Sequence, residues 1–206
     1  EKIVKLCYAN KDSNVFSLTM ELLSGLNVLT YLSRKQFYTE DCVSKILCQV
    51  LDAIEYLHYH GIALIELQPD NVLVVDDRRL QVKLTDFANS RYVSGEGCKV
   101  SVIANPEFIG ESPLIVTMVP LLTLSICAIA PELIKNEEVT MPYTDIWSVG
   151  VLAYILLSGH SPFKGSDAKE TAQNVVYVRY LFDRLYSEVT QEAIRFILTV
   201  FKLTPQ

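Results

Sequence analysis

Acidic and amide side chains fall in two short segments that could carry chemistry. The first segment is 64–71, Leu-Ile-Glu-Leu-Gln-Pro-Asp-Asn, and the second is 86–88, Asp-Phe-Ala. Glu66 can accept a proton, whereas the side-chain oxygens of Asn71 and Asp86 are of the kind that binds Mg²⁺. Taken singly, each of these residues is equally typical of a solvated turn or a helix cap. Their order, on loops beside predicted strands, favours a joint function.

Two further segments continue this pattern towards the C-terminus. Ala-Pro-Glu at 130–132 is followed by Asp-Ile-Trp-Ser-Val-Gly at 145–150. With these segments in place, nearly the whole chain resembles the large C-terminal lobe of a eukaryotic protein kinase. Segment 64–71 matches the catalytic loop H-R-D-x-K-P-x-N, 86–88 matches D-F-G, and 130–132 matches A-P-E.

Other runs narrow the resemblance to one group of kinases. Asn-Pro-Glu-Phe at 105–108 and Leu-Ser-Gly-His-Ser-Pro-Phe at 157–163 look most like the titin/myosin-light-chain-kinase group. Within that group the chain is most similar to obscurin-type and Trio/kalirin-type kinase domains. Membership in this group implies a domain that works inside a large cytoskeletal or signalling protein.

The resemblance implies a role for each residue that matches a family motif. Glu66 stands at the position of the catalytic base, and Gln68 stands at that of the Lys that contacts the transferred phosphoryl group. Asn71 and Asp86 stand at the two Mg²⁺-ligand positions.

A second set of positions would contact ATP. Met20, Glu21 and Leu23 match the gatekeeper and hinge, and Leu73 completes this predicted set.

Several catalytic-loop positions depart from the family pattern. Glu66 replaces an Asp, and its extra methylene moves the carboxylate by over an ångström, a misplacement that can cost about a hundredfold in rate. Leu64 and Ile65 replace the His and Arg, Gln68 removes a positive charge, and Ala88 replaces a Gly. The sequence therefore predicts weak or no catalysis.

The resemblance implies an α+β, protein-kinase-like fold in a single domain, and the apolar pattern predicts its elements. Residues 1–20 are predicted to be a remnant of the small-lobe sheet, 21–25 the hinge, and 26–206 a mostly helical lobe. The predicted elements are a hairpin from 3–8 and 15–20, a helix capped by Thr39 and ended by Gly61, strands at 62–65, 71–75 and 81–84, a loop at 88–110, a buried helix at 144–158, and helices capped by Ser166 and Thr190.

The family comparison predicts that the chain is incomplete. The printed sequence shows no Gly-rich loop and no strand Lys before Ile3, and the Arg expected to pair with Glu132 lies beyond Gln206. Both ends are therefore expected to lie inside a larger polypeptide.

The 20 residues from Ser112 to Pro131 carry no charge. A span of this length can cross a bilayer, but Pro113 and Pro120 interrupt it and no basic residue flanks it, which argues against membrane insertion. Removing residues 110–129 would restore the family spacing. Two explanations stay open: a retained intron, which sequencing of the transcript would test, or a genuine insertion in the activation segment.

Composition excludes several classes of protein. Half of the residues are hydrophobic and the net charge is −6, so the chain is neither disordered nor a nonspecific nucleic-acid binder. The mean hydropathy of +0.25 is attributed to the buried helix and the uncharged run. The five cysteines form no metal-binding or disulfide pattern, which favours a cytoplasmic protein, with cytoskeletal association as a further expectation.

These observations favour a degenerate protein kinase domain that serves as a binding or scaffolding module. Its expected partners are proteins, and ATP with Mg²⁺ is its expected cofactor by resemblance. The first alternative is an active serine/threonine kinase that uses Glu66 as base. The second alternative is a fragment attached to a membrane through residues 112–131.

Overall fold

The computed structural model describes residues 1–65, 67–93, 128–135, 143–180 and 189–201, which form two compact units. Unit 1 comprises Glu1–Glu55 and Pro69–Phe87, and unit 2 comprises the described parts of Tyr56–Gln68 and Ala88–Gln206. The mixture of strands and helices confirms the α+β class. In chain order the elements are β1 (Leu6–Asp12), β2 (Val15–Met20), β3 (Leu26–Asn27), α1 (Val28–Ser33), α2 (Glu40–Tyr59), β4 (Ile62–Ala63), a 3₁₀ turn (Pro69–Asn71), β5 (Val72–Asp76), β6 (Gln81–Leu84), β7 (Arg91–Tyr92), α3 (Pro131–Ile134), α4 (Tyr143–Ser158), α5 (Ala168–Val176) and α6 (Gln191–Val200).

Strands β1 and β2 form the predicted hairpin, but with different bounds. The ladder runs to the pair Asp12 and Val15, so the turn shrinks to two residues. Polar residues that looked like a turn thus extend the strand, because each added pair satisfies backbone donors and acceptors. Ile3, predicted to lie in the hairpin, instead forms a parallel bridge with Leu84 of β6.

Helix α2 begins where the sequence predicts. The Oγ1 of Thr39 accepts a hydrogen bond from the backbone N–H of Cys42 at 3.3 Å. Its apolar stripe includes Val43, Ile46 and Val50, each at most 1% exposed. Gly61, just beyond the helix, has φ +70°, a conformation that glycine adopts without strain.

A three-stranded antiparallel sheet, ordered β3-β5-β6, lies in unit 1. Along β5, Val72 and Val74 are buried, whereas Leu73 between them is only half-buried. Successive strand residues point to opposite faces, so the sheet has one core face and one more open face that carries Leu73.

In unit 2, residues predicted as loop form a short strand. Arg91 and Tyr92 pair with Ala63 and Ile62 across β4 and β7. Two residues are too few for a periodic signal, so the strand depends on its partner and not on local pattern.

Helix α4 is the predicted buried helix of unit 2. Trp147 stacks on Phe163 with ring centroids 5.1 Å apart, and Phe201 contacts both rings. All three residues are at most 5% exposed, so these aromatic rings form part of the core of unit 2.

The caps of the last two helices differ in how well the sequence predicts them. Thr190 caps α6 as predicted, whereas Asp167, and not Ser166, caps α5 by accepting from the N–H of Glu170 at 2.7 Å. The main-chain N–H of Ser166 donates instead to the Glu170 carboxylate. Aspartate and serine are similarly good caps, so sequence alone does not separate neighbours.

Most of the uncharged segment lies outside the described residues. Of the predicted insert at 110–129, the structure describes Ala128 and Ile129, which are 2% and 6% exposed. The carbonyl of Ala128 accepts a 2.6 Å hydrogen bond from the Oγ of Ser148 in α4. Within the described ranges, no helix is both long and apolar enough to cross a bilayer.

Candidate functional site

A buried carboxylate holds the start of the predicted catalytic loop. Asp145, in the first turn of α4, is fully buried. Its two oxygens accept hydrogen bonds from the backbone N–H groups of Leu64 at 2.8 Å and Ile65 at 2.7 Å. The Nε2 of His58 lies 2.8 Å from Oδ2 of the same carboxylate. A buried carboxylate without such partners would be strongly destabilising, so Asp145 and the loop stabilise each other.

His58 has an acidic partner that no local spacing in the sequence indicates. The partner, Asp145, lies 87 residues away in the chain. Only folding brings the two together, since helical spacing relates residues three or four positions apart.

Ile65 adopts a conformation that is costly for its type of side chain. Its φ of +73° lies in the left-handed region, where a β-branched residue is a clear outlier. Such strain costs about 1–3 kcal/mol and persists only where the surroundings impose it. Here the hydrogen bond to Asp145 imposes it, together with packing against Ala63, Ile129 and Leu133. The loop therefore keeps a specific backbone shape although its side chains have changed.

The side chains of the predicted catalytic loop differ in their exposure to solvent. Leu64 and Leu67 are each 1% exposed, and Gln68 after them is half-buried. The predicted base, Glu66, lies outside the described residues. Neither Leu64 nor Ile65 supplies the imidazole or guanidinium that a His-Arg pair would offer at these positions.

In unit 1, the two predicted Mg²⁺ ligands lie at the same end of one hairpin. Val72 of β5 pairs with Leu84 of β6, and the N–H of Thr85 donates to the carbonyl of Asn71 at 2.9 Å. Asp86 follows Thr85, is exposed, and has φ +58°, a region where Asp is several-fold enriched. The register of β5 and β6 thus brings Asn71 and the Asp86 segment together.

The chemistry of these two donors fits the predicted cation. An amide oxygen and a carboxylate are hard ligands, and Mg²⁺ is commonly held by one or two protein groups plus phosphate oxygens and water. Among the described residues, no cluster of three or more His, Cys, Asp or Glu could hold a metal by itself. The neighbouring Asp70 is occupied otherwise, because its Oδ1 accepts from the side-chain amide of Asn27 at 2.7 Å.

The predicted ATP contacts also belong to unit 1. Glu21 follows β2, and its carboxylate accepts from the backbone N–H of Lys5 at 2.8 Å and from the Nζ of Lys83. These interactions, chiefly the hydrogen bond from Lys83, lower the pKa of Glu21 below its ordinary value. The side chain of Glu21 thus ties Lys5, the residue before β1, to β6 and is not presented to a ligand.

Leu73 and Lys83 are cross-strand partners on the more open face of the sheet. Because directly opposed residues point to the same side, Leu73 lies on the face from which Lys83 reaches Glu21. Leu23 is half-buried and Met20, at the end of β2, is 52% exposed. The structure therefore places Glu21 and Leu73 on linked elements, as a common binding face requires.

Sequence reasoning missed side-chain contacts of unit 1 besides the pair of Glu21 and Lys83, and two groups of them matter here. One is the bond between Asn27 and Asp70, and the other joins Tyr31, Lys35 and Asp77. The partners in each case are more than 40 positions apart. The polar residues before and after β5 can be read from the sequence, but no local pattern indicates which residues they contact.

Comparison with curated proteins finds relatives among the death-associated protein kinases. The chain is 33% identical over 208 residues to "Death-associated protein kinase related" of Drosophila melanogaster, covering 100% of this chain and 28% of that protein. The chain spans between 13% and 44% of the length of this relative and two others, from Caenorhabditis elegans and Mus musculus.

Comparison with solved structures gives the same fold. A twitchin kinase fragment from C. elegans superimposes with a TM-score of 0.81 at 27% identity, covering 99% of this chain and 41% of that one. Rad53 1-466 in complex with AMP-PNP superimposes with a TM-score of 0.74 at 28% identity, covering 99% and 46%. The family model described as "Protein kinase domain" matches residues 1–206. The fold, the anchored loop and these matches together establish that the chain belongs to the protein kinase domain family.

Proposed function

We propose that this chain is a kinase domain with little or no phosphotransfer activity that serves as a binding or scaffolding module for other proteins. One contrast carries the proposal. The loop at Leu64 and Ile65 is held by the buried Asp145 at the cost of backbone strain, whereas Gln68 lacks the positive charge that stabilises a transferred phosphoryl group. The backbone conformation at the start of the loop is retained, whereas a side chain that would take part in phosphoryl transfer is replaced.

Nucleotide binding is a separable part of this proposal. Asn71 and Asp86 would hold Mg²⁺, and the ion would neutralise charge on the phosphates. Leu73 would pack against the base, and Glu21 would contact it through the main chain because its carboxylate is engaged by Lys83. Rad53 was solved in complex with AMP-PNP, which supports this assignment by analogy.

The setting of the proposed module follows from the same group resemblance. We infer that the domain works in the cytoplasm inside a larger cytoskeletal or signalling polypeptide, with protein partners. The twitchin fragment, an autoregulated protein kinase with immunoglobulin domains, supports this inference by similarity.

An active serine/threonine kinase is the second candidate. The observation in its favour is that the register of β5 and β6 keeps Asn71 and Asp86 at one end of the hairpin. With Glu66 as base, such a site would transfer phosphate at a rate reduced by the displaced carboxylate.

Phosphate transfer by the full-length protein separates the two candidates. We expect transfer from Mg·ATP to a Ser/Thr peptide to be no faster than in Asp86→Asn, which lacks one metal ligand. Thermal melting with and without Mg·ATP reports nucleotide binding independently of transfer. Transfer that is readily measured and disappears in Asp86→Asn would establish the active kinase instead.

A further inference from the structure

A cleft in unit 1 lies between α1 and the turn that joins β5 to β6. Its volume is about 350 Å³, at the lower end of the range for pockets that hold a ligand. Tyr31, Arg34 and Lys35 line it on one side, and Val75 and Asp77 line it on the other. None of these residues belongs to the predicted nucleotide or metal positions.

Three side chains fix the polar wall of the cleft. The hydroxyl of Tyr31 donates to Oδ1 of Asp77 at 2.5 Å, and the Nζ of Lys35 donates to the same oxygen at 2.8 Å. The Nζ of Lys35 also lies 4.6 Å from the centroid of the Tyr31 ring. Hydrogen bonding raises the pKa of Lys35 and lowers that of Asp77, so both stay charged at neutral pH. A wall held in this way needs little reorganisation when a ligand binds.

The floor of the cleft is apolar and depends on a glycine. A Cβ on Gly25 would lie 2.3 Å from the carbonyl oxygen of Val74, so only glycine lets the chain approach β5 this closely. This approach places Leu26 beside Val75 as apolar lining.

Positive charge exceeds negative charge in the cleft and in the turn that follows Asp77, one of its lining residues. Lys35 neutralises Asp77, and within the described ranges no carboxylate forms an ion pair with the exposed Arg34. Arg78 and Arg79 follow in the turn, where their main-chain N–H groups bind Oδ1 of Asp76 and their side chains are exposed. The carboxylate of Asp76 offsets one of these three guanidinium groups, and the remaining excess of positive charge, in a chain of net charge −6, favours an anionic ligand.

We propose that this cleft binds a short acidic peptide segment of a protein partner. A Glu or Asp of the segment pairs with Arg34, whose guanidinium can donate two parallel hydrogen bonds to a carboxylate. A neighbouring aliphatic side chain fills the cavity against Leu26 and Val75. A volume of about 350 Å³ holds one or two side chains and not a folded domain, which is why the occupant is a linear segment.

The proposal rests on the binding-module function, and its test keeps the two separable. Fluorescence anisotropy of the full-length protein would compare the binding of three pools of short labelled peptides. In the first pool Asp or Glu alternates with Leu or Val. In the second pool Lys or Arg replaces the acidic residues, and in the third pool Asn or Gln replaces them. We expect the acidic pool to bind best. Arg34→Glu is expected to weaken it at least about tenfold, since a charge-assisted pair is replaced by repulsion.

Matched variants define the controls. Arg195→Glu, an equal charge change at an exposed position of α6, should leave peptide binding unchanged. Arg34→Lys should lose part of the affinity because it keeps the charge but not the fork of donors. Melting temperatures establish that each variant folds, and Arg34→Gln replaces Arg34→Glu if the latter does not.

The proposal is overturned if no pool binds, if the basic or uncharged pool binds equally well, or if Arg34→Glu and Arg195→Glu act alike. Arg34-dependent binding to phosphatidylserine vesicles without peptide binding would also overturn it. Phosphate transfer measured on the same samples separates this proposal from the proposed function. If the protein transfers phosphate and still binds the acidic peptides, the proposed lack of activity is refuted and the peptide-binding cleft is not.

Discussion

At the residue scale, the proposed loss of phosphotransfer depends on Glu66 and Gln68, which depart from the family motif. The backbone just before Glu66 is held in place, because the N–H groups of Leu64 and Ile65 donate to the carboxylate of Asp145. What differs is the length of one acid and the loss of one cation. Because phosphoryl transfer depends on positioning and charge, we expect these two substitutions to affect the rate more than the fold.

Restoring the two side chains should restore activity. In the full-length protein, Glu66→Asp combined with Gln68→Lys is expected to raise phosphate transfer by about a hundredfold, because the carboxylate returns to its place and the phosphoryl group regains a cation. Transfer of labelled γ-phosphate to a Ser/Thr peptide measures this. Adding Asp86→Asn should abolish the gain, and an unaltered protein as fast as the double variant would contradict the prediction.

At the scale of elements, short-range contacts decide where helices and strands begin. Helix α5 begins after Asp167 because its carboxylate accepts from the N–H of Glu170, while Glu170 reaches back to the N–H of Ser166. This arrangement resembles a capping box, except that Glu170 binds the N–H of Ser166, one residue before the cap, and not that of Asp167 itself. Strand β7 likewise exists through its pairing with β4.

A pair of substitutions tests the cap of α5. Asp167→Ala should lower the free energy of unfolding by about 1 kcal/mol, because a backbone N–H of the first turn loses its acceptor. Asp167→Asn keeps an acceptor oxygen and should change stability by a few tenths at most. Urea denaturation measures both, and equal losses in the two variants would show that Asp167 acts by charge and not as a cap.

At the scale of the whole molecule, ion pairs join segments of unit 1 that are far apart in sequence. Glu21 pairs with Lys83, and Asp77 pairs with Lys35. Both carboxyl groups have lowered pKa values, chiefly through hydrogen bonds from these lysines. Such pairs hold the ends of the sheet and one wall of the cleft.

These pairs predict acid sensitivity. A carboxyl group whose folded pKa is lowered stabilises the protein above its unfolded pKa, and this contribution is lost as the pH falls through the folded pKa. Stability should therefore decline as the pH falls below the ordinary Glu value of 4.5. Urea midpoints measured at successive pH values should fall less steeply in Glu21→Gln and Asp77→Asn. Unchanged slopes in both variants would contradict the assignment.

The sequence by itself determined the family, the α+β class and the order of the chemical positions. Motif spacing is a local property, as are the apolar stripe of α2, the buried helix α4 and the cap at Thr190. These features were predicted because neighbouring residues encode them. The precise limits of β1 and β2 were not, since strand ends depend on the partner strand.

Only the tertiary structure decided which side chains act together. The contact of His58 with Asp145, the strain at Ile65, the common hairpin end of Asn71 and Asp86, and the cleft beside Arg34 all join residues through folding or arise from it. The sequence predicted Asn71 and Asp86 as ligands from motifs, but their proximity follows from strand register. Hydrogen bonds and packing depend on the distance between groups in space, and the separation of two residues along the chain does not determine that distance.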